Sequence, residues 1–260
     1  SRAKPTGATH TLDAKLKVLY PGLKKRCLDE AIEADLILVD GKHAKKGQTL
    51  GSNSVLTTEK FDEHVKSLQE GKRLAVSIVH DDEEFVVVDK PPGMPGHPLG
   101  IFDTDTVTAW ALFNFPIVRE EFDEVQPTVT PHRLDTGTRG LLVVAKTRNG
   151  FEQWRKRFQK HEITKVYEAW CWQAKDTVQE RLFTVKSLIA NDTSDRRKMK
   201  VVSIPDEGVR EAETHFEVLK SDGSACLVRG TTRDGVTHQI RVQLASVGLP
   251  LIGDSLYDVD

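Results

Sequence analysis

Asp135 sits in the run Pro131-His-Arg-Leu-Asp-Thr-Gly-Thr-Arg-Gly140, immediately before the apolar stretch Leu141–Ala145. A carboxylate there can act as nucleophile or general base. The glycines let the backbone approach a ligand closely, and a buried strand would hold the acid rigidly. The same pattern also suits an ordinary turn or cap aspartate. A second group is Gly235-Val-Thr-His-Gln-Ile-Arg241. Thr237 and Arg241 are four apart, so at a helix start both face one way. Arg241 reads either as a surface salt-bridge residue or as the buried partner of a carboxylate. A third is Lys165-Val-Tyr-Glu-Ala-Trp170, where Tyr167 is either a core aromatic or a platform on which a base stacks.

Regular elements must position these residues. Phe85–Val88 reads as a buried strand ended by Asp89-Lys-Pro-Pro-Gly93, and Gly140–Lys146 as another. Helical periodicity marks 104–115, with Val107, Trp110 and Phe113 on one side, and 148–160, with Phe151, Trp154 and Phe158 inward. Strands are predicted over 165–172, 182–188, 198–202, 212–220 and 225–229. Ile240, Leu244 and Val247 form the apolar stripe of a last helix, which Gly248 can terminate. Runs of strands sit together, so the fold class is α+β with a mixed, mainly antiparallel sheet. Before this lies a smaller unit over 12–58. Leu16, Leu19 and Leu23 have helical spacing, continued by Leu28 and Ile32. Residues 34–39 read as a short strand, Asp40-Gly41 as a tight turn, and a weaker strand ends near Leu56. Residues 1–11 read as a polar tail, 59–73 as a linker with some helix, and 74–260 as the larger domain.

Composition excludes several classes. The 260 residues are 38% hydrophobic and 29% charged, as in a soluble globular protein. No apolar run approaches a membrane span, and no leader sequence opens the chain. Three scattered cysteines rule out a disulfide framework and suggest a reducing, cytoplasmic setting. His161-Glu162 begins like a zinc motif, but Lys165 stands where a second His is needed, so no metal site is expected. Nor is there a P-loop or dinucleotide glycine motif. The net charge is -2, which by itself announces no nucleic-acid binder. Locally the balance differs: residues 132–165 hold nine Lys/Arg against three Asp/Glu, enough for a basic face.

Taken together and in order, the motifs resemble the RluA family of RNA pseudouridine synthases over about 70% to 75% of the chain. Val88-Asp-Lys-Pro-Pro-Gly93, His132-Arg-Leu-Asp135 with Thr138 and Gly140-Leu-Leu, Lys165–Ala169, Thr237-His-Gln-Ile-Arg241 and Leu249-Pro-Leu-Ile-Gly-Asp254 are similar to the family's successive motifs. The stretch Leu36-Ile-Leu-Val-Asp-Gly-Lys42 is similar to the strand and turn of the S-four-like RNA-binding fold, a small α/β domain that several members carry in front. Some positions depart from the pattern. Arg139 stands where Ser is usual, Val236 where Arg is common, Gln243 where His is common and Asp258 where Gly is usual. Relatives usually continue past residue 260 through another hydrophobic segment.

The resemblance implies isomerisation of uridine to pseudouridine in structured RNA, with ribosomal RNA favoured over transfer RNA, by a monomer that needs no cofactor and no membrane. It assigns Asp135 as the catalytic carboxylate, Arg241 as its ion-pair partner and Tyr167 as the residue packed on the target base. Arg133 is the residue that enters the RNA stack. Lys90, Thr237, His238 and Gln239 are expected at the RNA as well. In the leading unit Lys24, Lys25, Arg26 and Lys42, with Lys45 and Lys46, would contact phosphates. Arg241→Met is expected to lose activity with little unfolding. The competing reading is a non-catalytic RNA-binding or ribosome-assembly protein that keeps the fold. A carboxylate-based hydrolase fits less well, because it wants two paired acids.

Overall fold

A computed structural model describes residues 11–173 and 180–258, in two compact units, 1–156 and 157–260. The expected polar tail lies almost wholly outside the described residues. In the first unit Thr11 caps helix α1 (Leu12–Leu19), its hydroxyl accepting the Ala14 N–H. Pro21 and Gly22, the latter at φ +88°, break the helical run before α2 (Lys25–Glu33). The break takes Leu19 out of the expected stripe and leaves it exposed, whereas Leu16, Leu23, Leu28 and Ile32 are buried. Asp35, at φ +55°, holds the chain in a turn, so the strand expected over 34–39 shrinks to β1 (Leu38–Val39). Asp40 and Gly41, both at positive φ, form the hairpin to β2 (Lys42–His43), as a two-residue turn requires. With β3 (Leu56–Thr57) these strands form a small antiparallel sheet, ordered β2-β1-β3.

The segment expected as a linker is mostly helix α3 (Glu59–Glu70). Phe61, Val65 and Leu68 recur at helical spacing and enter the same core as Leu12, Leu16, Ala31 and Ile37. Ile101 and Val125 join that core too. The leading elements therefore share their core with residues from the segments that follow. Gly71 ends α3 at φ +74°, where a β-carbon would lie 2.4 Å from the Ala109 carbonyl.

Strands β4 (Ser77–Asp81), β5 (Phe85–Lys90) and β6 (Gly140–Ala145) form an antiparallel sheet in that order, with Lys90 opposite Gly140 and Val87 opposite Val143. Helices α4 (Val107–Asn114) and α5 (Pro116–Glu121) supply Val107, Trp110, Ala111 and Val118 to its core, against Val86, Val88, Leu142 and Val144. Thr108 and Leu112 widen the buried arc of α4. That turns Phe113, expected inside, out to solvent. Helix α6 (Arg148–Gln159) follows. Its Phe151 packs on this core and its Trp154 meets Phe85 edge-on at 5.1 Å.

The second unit is a five-stranded antiparallel sheet, ordered β7-β11-β10-β8-β9, from β7 (Lys165–Trp172), β8 (Leu182–Asn191), β9 (Met199–Val202), β10 (Arg210–Ser221) and β11 (Ala225–Thr232). Helix α7 (Gln239–Ser246) covers one face through Leu244, over Cys171, Phe216, Cys226 and Val228. Of the stripe expected on α7, Leu244 is fully buried, while Ile240 and Val247 are only partly so. Gln239 and Gln243 occupy the rest of the buried face with Val242. The architecture is the expected α+β class with antiparallel sheets. Among the described residues no helix is long and apolar enough to cross a membrane.

Candidate active site

Asp135 is held by its neighbours on both sides. Two residues earlier than Leu134, His132 accepts the Val143 N–H of β6 at Nε2, 2.9 Å away. Leu134 packs on the core beneath the sheet, whereas Arg133 between them is exposed. After Asp135 the chain turns back, its carbonyl accepting the Thr138 N–H at 3.0 Å. The local sequence explains the alternation: His132 and Leu134 face inward, Arg133 outward, and the glycine-containing turn follows.

Lys90, expected at the RNA, is instead 0% exposed. Its ammonium donates to the carbonyls of Pro91 (3.0 Å), Met94 (2.8 Å) and Thr136 (3.1 Å), tying the Asp89-Lys-Pro-Pro-Gly93 loop to the turn beside Asp135. Burial pushes the Lys90 ammonium below the usual lysine range, while attraction to Asp135 works to retain its proton. A lysine so enclosed cannot reach a phosphate. Asp89 forks with Arg139, one of the departures from the family pattern, at 2.8 to 3.3 Å. The first motif thus meets the Asp135 turn through both Lys90 and Asp89.

Tyr167 and Arg241 belong to the second unit. Tyr167 lies opposite Gly230 in the β7–β11 pairing. A β-carbon at Gly230 would come within 2.8 Å of the Phe216 ring, so only glycine fits there. At the start of β7, burial lowers the Lys165 ammonium against the opposing charge of Asp234, whose carbonyl it binds at 2.5 Å. Arg241 is 19% exposed in its side chain and closes a bidentate pair on Asp254, with Nε–Oδ2 and Nη2–Oδ1 both at 2.7 Å. Burial acts to raise the Asp254 carboxyl, but the Arg241 hydrogen bonds and the Leu256 and Tyr257 amides outweigh it and hold the group below the usual carboxylate range. The Arg241 guanidinium also lies 5.1 Å from the centre of the Tyr257 ring.

The four-residue spacing of Thr237 and Arg241 does not fall on one helix. α7 begins at Gln239, and its cap His238 takes φ +55°, leaving Thr237 outside. His238 Nδ1 meets the Tyr257 hydroxyl at 2.9 Å. Gln239, expected at the RNA, is 5% exposed. Its amide donates to Thr214 (2.9 Å), Thr232 (3.0 Å) and the Glu213 carbonyl (3.3 Å), so it joins helix to sheet rather than meeting ligand. Gln243, another departure, does the same: it accepts from Thr214 at 2.6 Å and donates to Val185, Ser187 and Ala212.

All six cations expected in the leading unit are exposed, Lys24, Lys42 and Lys45 among them. Lys25 is held by Asp13 and Asp29 at 3.0 Å each, Arg26 by Glu30 at 2.7 Å and Lys46 by Glu33 at 2.5 Å. The residue pattern gives no separate role to His132, Asp254 or Gln243, and it places Gln239 at the RNA instead of in the core. A signal for Asp254 was present: an arginine on a partly apolar helix requires an acid, and Asp254 closes the apolar run that begins at Leu249.

A family model described as RNA pseudouridylate synthase matches residues 84–246. Ribosomal large subunit pseudouridine synthase D of Haemophilus influenzae is 27% identical over 99% of this chain and 76% of the relative. The protein of that name from Escherichia coli O6:H1 is 30% identical over 95% of this chain and 72% of the relative. Among solved structures, Human RNA Pseudouridylate Synthase Domain Containing 1 superposes with a TM-score of 0.57 at 25% identity, covering 73% of this chain and 72% of that one. Human RNA Pseudouridylate Synthase Domain Containing 4 gives 0.52 at 27%, covering 77% and 74%.

Proposed function

Given that this chain belongs to the RNA pseudouridylate synthase family, we propose that it converts uridine to pseudouridine in ribosomal RNA with Asp135 as the acting carboxylate. The names of its bacterial relatives support ribosomal RNA as the substrate. The reaction breaks the glycosidic carbon–nitrogen bond, turns the base and forms a carbon–carbon bond. It involves no redox change and no net group transfer. What it demands of the protein is a firmly held carboxylate and a pocket for a nucleotide taken out of its stack, an extrusion that costs a few kcal/mol.

The observation that carries the reading is the anchored turn of Asp135, with a buried lysine bonded to the adjacent carbonyl. Arg241 is assigned to the acid and Tyr167 to the target base by their motif positions. Arg133, exposed between two inward-facing residues, suits insertion into the RNA stack. Residues 12–58 serve as an S-four-like RNA-binding element, supported by the order of two helices and a hairpin and by the exposed Lys24 and Lys42.

The test is pseudouridine formation on ribosomal RNA transcripts by the wild type and by Asp135→Asn. Wild-type product that vanishes in the variant supports the reading. Equal turnover by both overturns the role of Asp135; no product from either while RNA still binds overturns the activity and favours a non-catalytic RNA-binding protein.

A further inference from the structure

The turn that carries Asp135 is gripped at both ends by side chains that never need to touch RNA. At its front end lies β6, the edge strand of β4-β5-β6. Beyond β5, two β6 amides find acceptors in the chain leading into the turn: Ala145 N–H meets the Val129 carbonyl at 2.8 Å and Val143 N–H meets His132 Nε2 at 2.9 Å. A histidine ring nitrogen therefore stands where a neighbouring strand would supply a carbonyl. A backbone N–H can only donate, so the nitrogen facing it must carry its lone pair. That fixes the ring as the tautomer with its proton on Nδ1, since an imidazolium has no lone pair to offer.

At its rear end the turn is held by Lys90. An ammonium has three protons, and three carbonyls take them: Pro91, Met94 and Thr136, the last being the residue after Asp135. The Thr136 carbonyl also accepts the Gly93 N–H at 2.8 Å. Asp135 thus lies between a fixed point three residues before it and another one residue after it.

We propose that His132 and Lys90 are positioning residues for the reaction, forming a two-point clamp that sets the Asp135 carboxylate in its working orientation before RNA arrives. The clamp rests on the reading of Asp135 as the acting group. Misplacing a reacting group by about 1 Å costs on the order of a hundredfold in rate, so loosening either point is expected to fall on kcat and to spare RNA binding.

Two measurements on the full chain test this. The first needs no turnover: imidazole nitrogen NMR of histidine-labelled protein, with His132 assigned by its loss in His132→Gln. A neutral ring at pH 7 with the proton on Nδ1 and a coupling from Nε2 to the Val143 amide is the expected result. A proton on Nε2, or a doubly protonated ring, overturns the clamp. The second is steady-state kinetics. His132→Ala and Lys90→Gln are expected to lose about a hundredfold in kcat with KM for RNA nearly unchanged. His132→Gln, whose carbonyl oxygen can accept the same N–H, is expected to recover most of the loss. Lys90→Met leaves three buried carbonyls without donors and is the variant at risk of not folding. Lys90→Gln keeps two donors without the charge and serves in its place, its folding checked by thermal melting. A folded His132→Ala with normal kcat, or losses confined to KM, overturns the proposal. Absence of product from the wild type instead overturns the role of Asp135, and the NMR result still decides the clamp.

Discussion

Arg241 and Asp254 form a bidentate ion pair, both contacts at 2.7 Å, with the aspartate side chain only 4% exposed. It joins the Thr237–Arg241 motif to the Leu249–Asp254 motif, so two segments that read as separate signatures act as one structural element. Arg241→Met then strands a buried carboxylate. Loss of one partner of a buried pair costs about 3–5 kcal/mol. Urea unfolding of the variant is expected to show a loss of this order, replacing the expectation of little unfolding.

The same pair has a definite pH dependence. The Asp254 carboxyl is held below its usual range in the folded protein, so the folded state binds the proton less readily than the unfolded chain does. The resulting stabilisation is fully present at neutral pH and is lost as pH falls through the depressed value. In Arg241→Met the carboxyl keeps the Leu256 and Tyr257 amides but loses the guanidinium, so burial weighs more heavily and favours protonation relative to the wild type. The stability gap between wild type and variant is therefore expected to narrow from pH 7 towards pH 3. A gap that stays constant across this range refutes the linkage.

Asp135→Asn is expected to abolish pseudouridine formation while the protein stays folded. RNA affinity should remain within roughly tenfold, about 1.4 kcal/mol, because the role proposed for Asp135 is chemistry rather than phosphate contact. A filter-binding titration beside the product assay separates the two effects.

Gly150→Ala offers a test of packing against propensity. Alanine is the better helix former by about 0.8–1.0 kcal/mol, so α6 considered alone would gain from the change. In the structure, a β-carbon at residue 150 would lie 2.4 Å from the Glu84 carbonyl. Overpacking of this kind costs about 1–3 kcal/mol. The variant is expected to melt below the wild type; a rise in Tm would show that the contact relaxes freely.

The three cysteines should resist a thiol reagent such as DTNB at pH 8 until the protein unfolds. All are buried, and burial beside Cys226 pushes the Cys171 thiol up to about 12. Counting released thionitrobenzoate with and without denaturant checks this. Fast reaction of two thiols in the folded protein would contradict the packing of β7 on β11, where Cys171 and Cys226 lie opposite each other.

Much of the fold is legible in order of residues because hydrophobic periodicity is a local property. The strands Phe85–Lys90, Gly140–Ala145 and Lys165–Trp172 and helix α6 lie close to where their patterns put them. Asp135 stands out for a similar reason: a glycine-bearing turn before an apolar strand is contiguous in sequence. Local pattern fails where burial depends on what packs opposite. Phe113 has the spacing of a core residue but faces solvent, because Thr108 and Leu112 take the buried arc. Residues 59–73 look polar enough for a linker, yet three apolar residues at helical spacing suffice to bind α3 into the first core.

The sequence by itself determined most of the element types, the motif order and the single acid within the Pro131–Gly140 run. Tertiary structure decided the work of the polar residues. Lys90 and Gln239 look like RNA ligands as letters, because a cation and an amide beside a motif suit phosphate and base. Three-dimensional packing buries both and directs their protons to protein acceptors. It also pairs Arg241 with Asp254, thirteen residues away. The physical reason is that a polar group removed from water must find its partner nearby in space, and nearness in space is what a linear pattern does not contain.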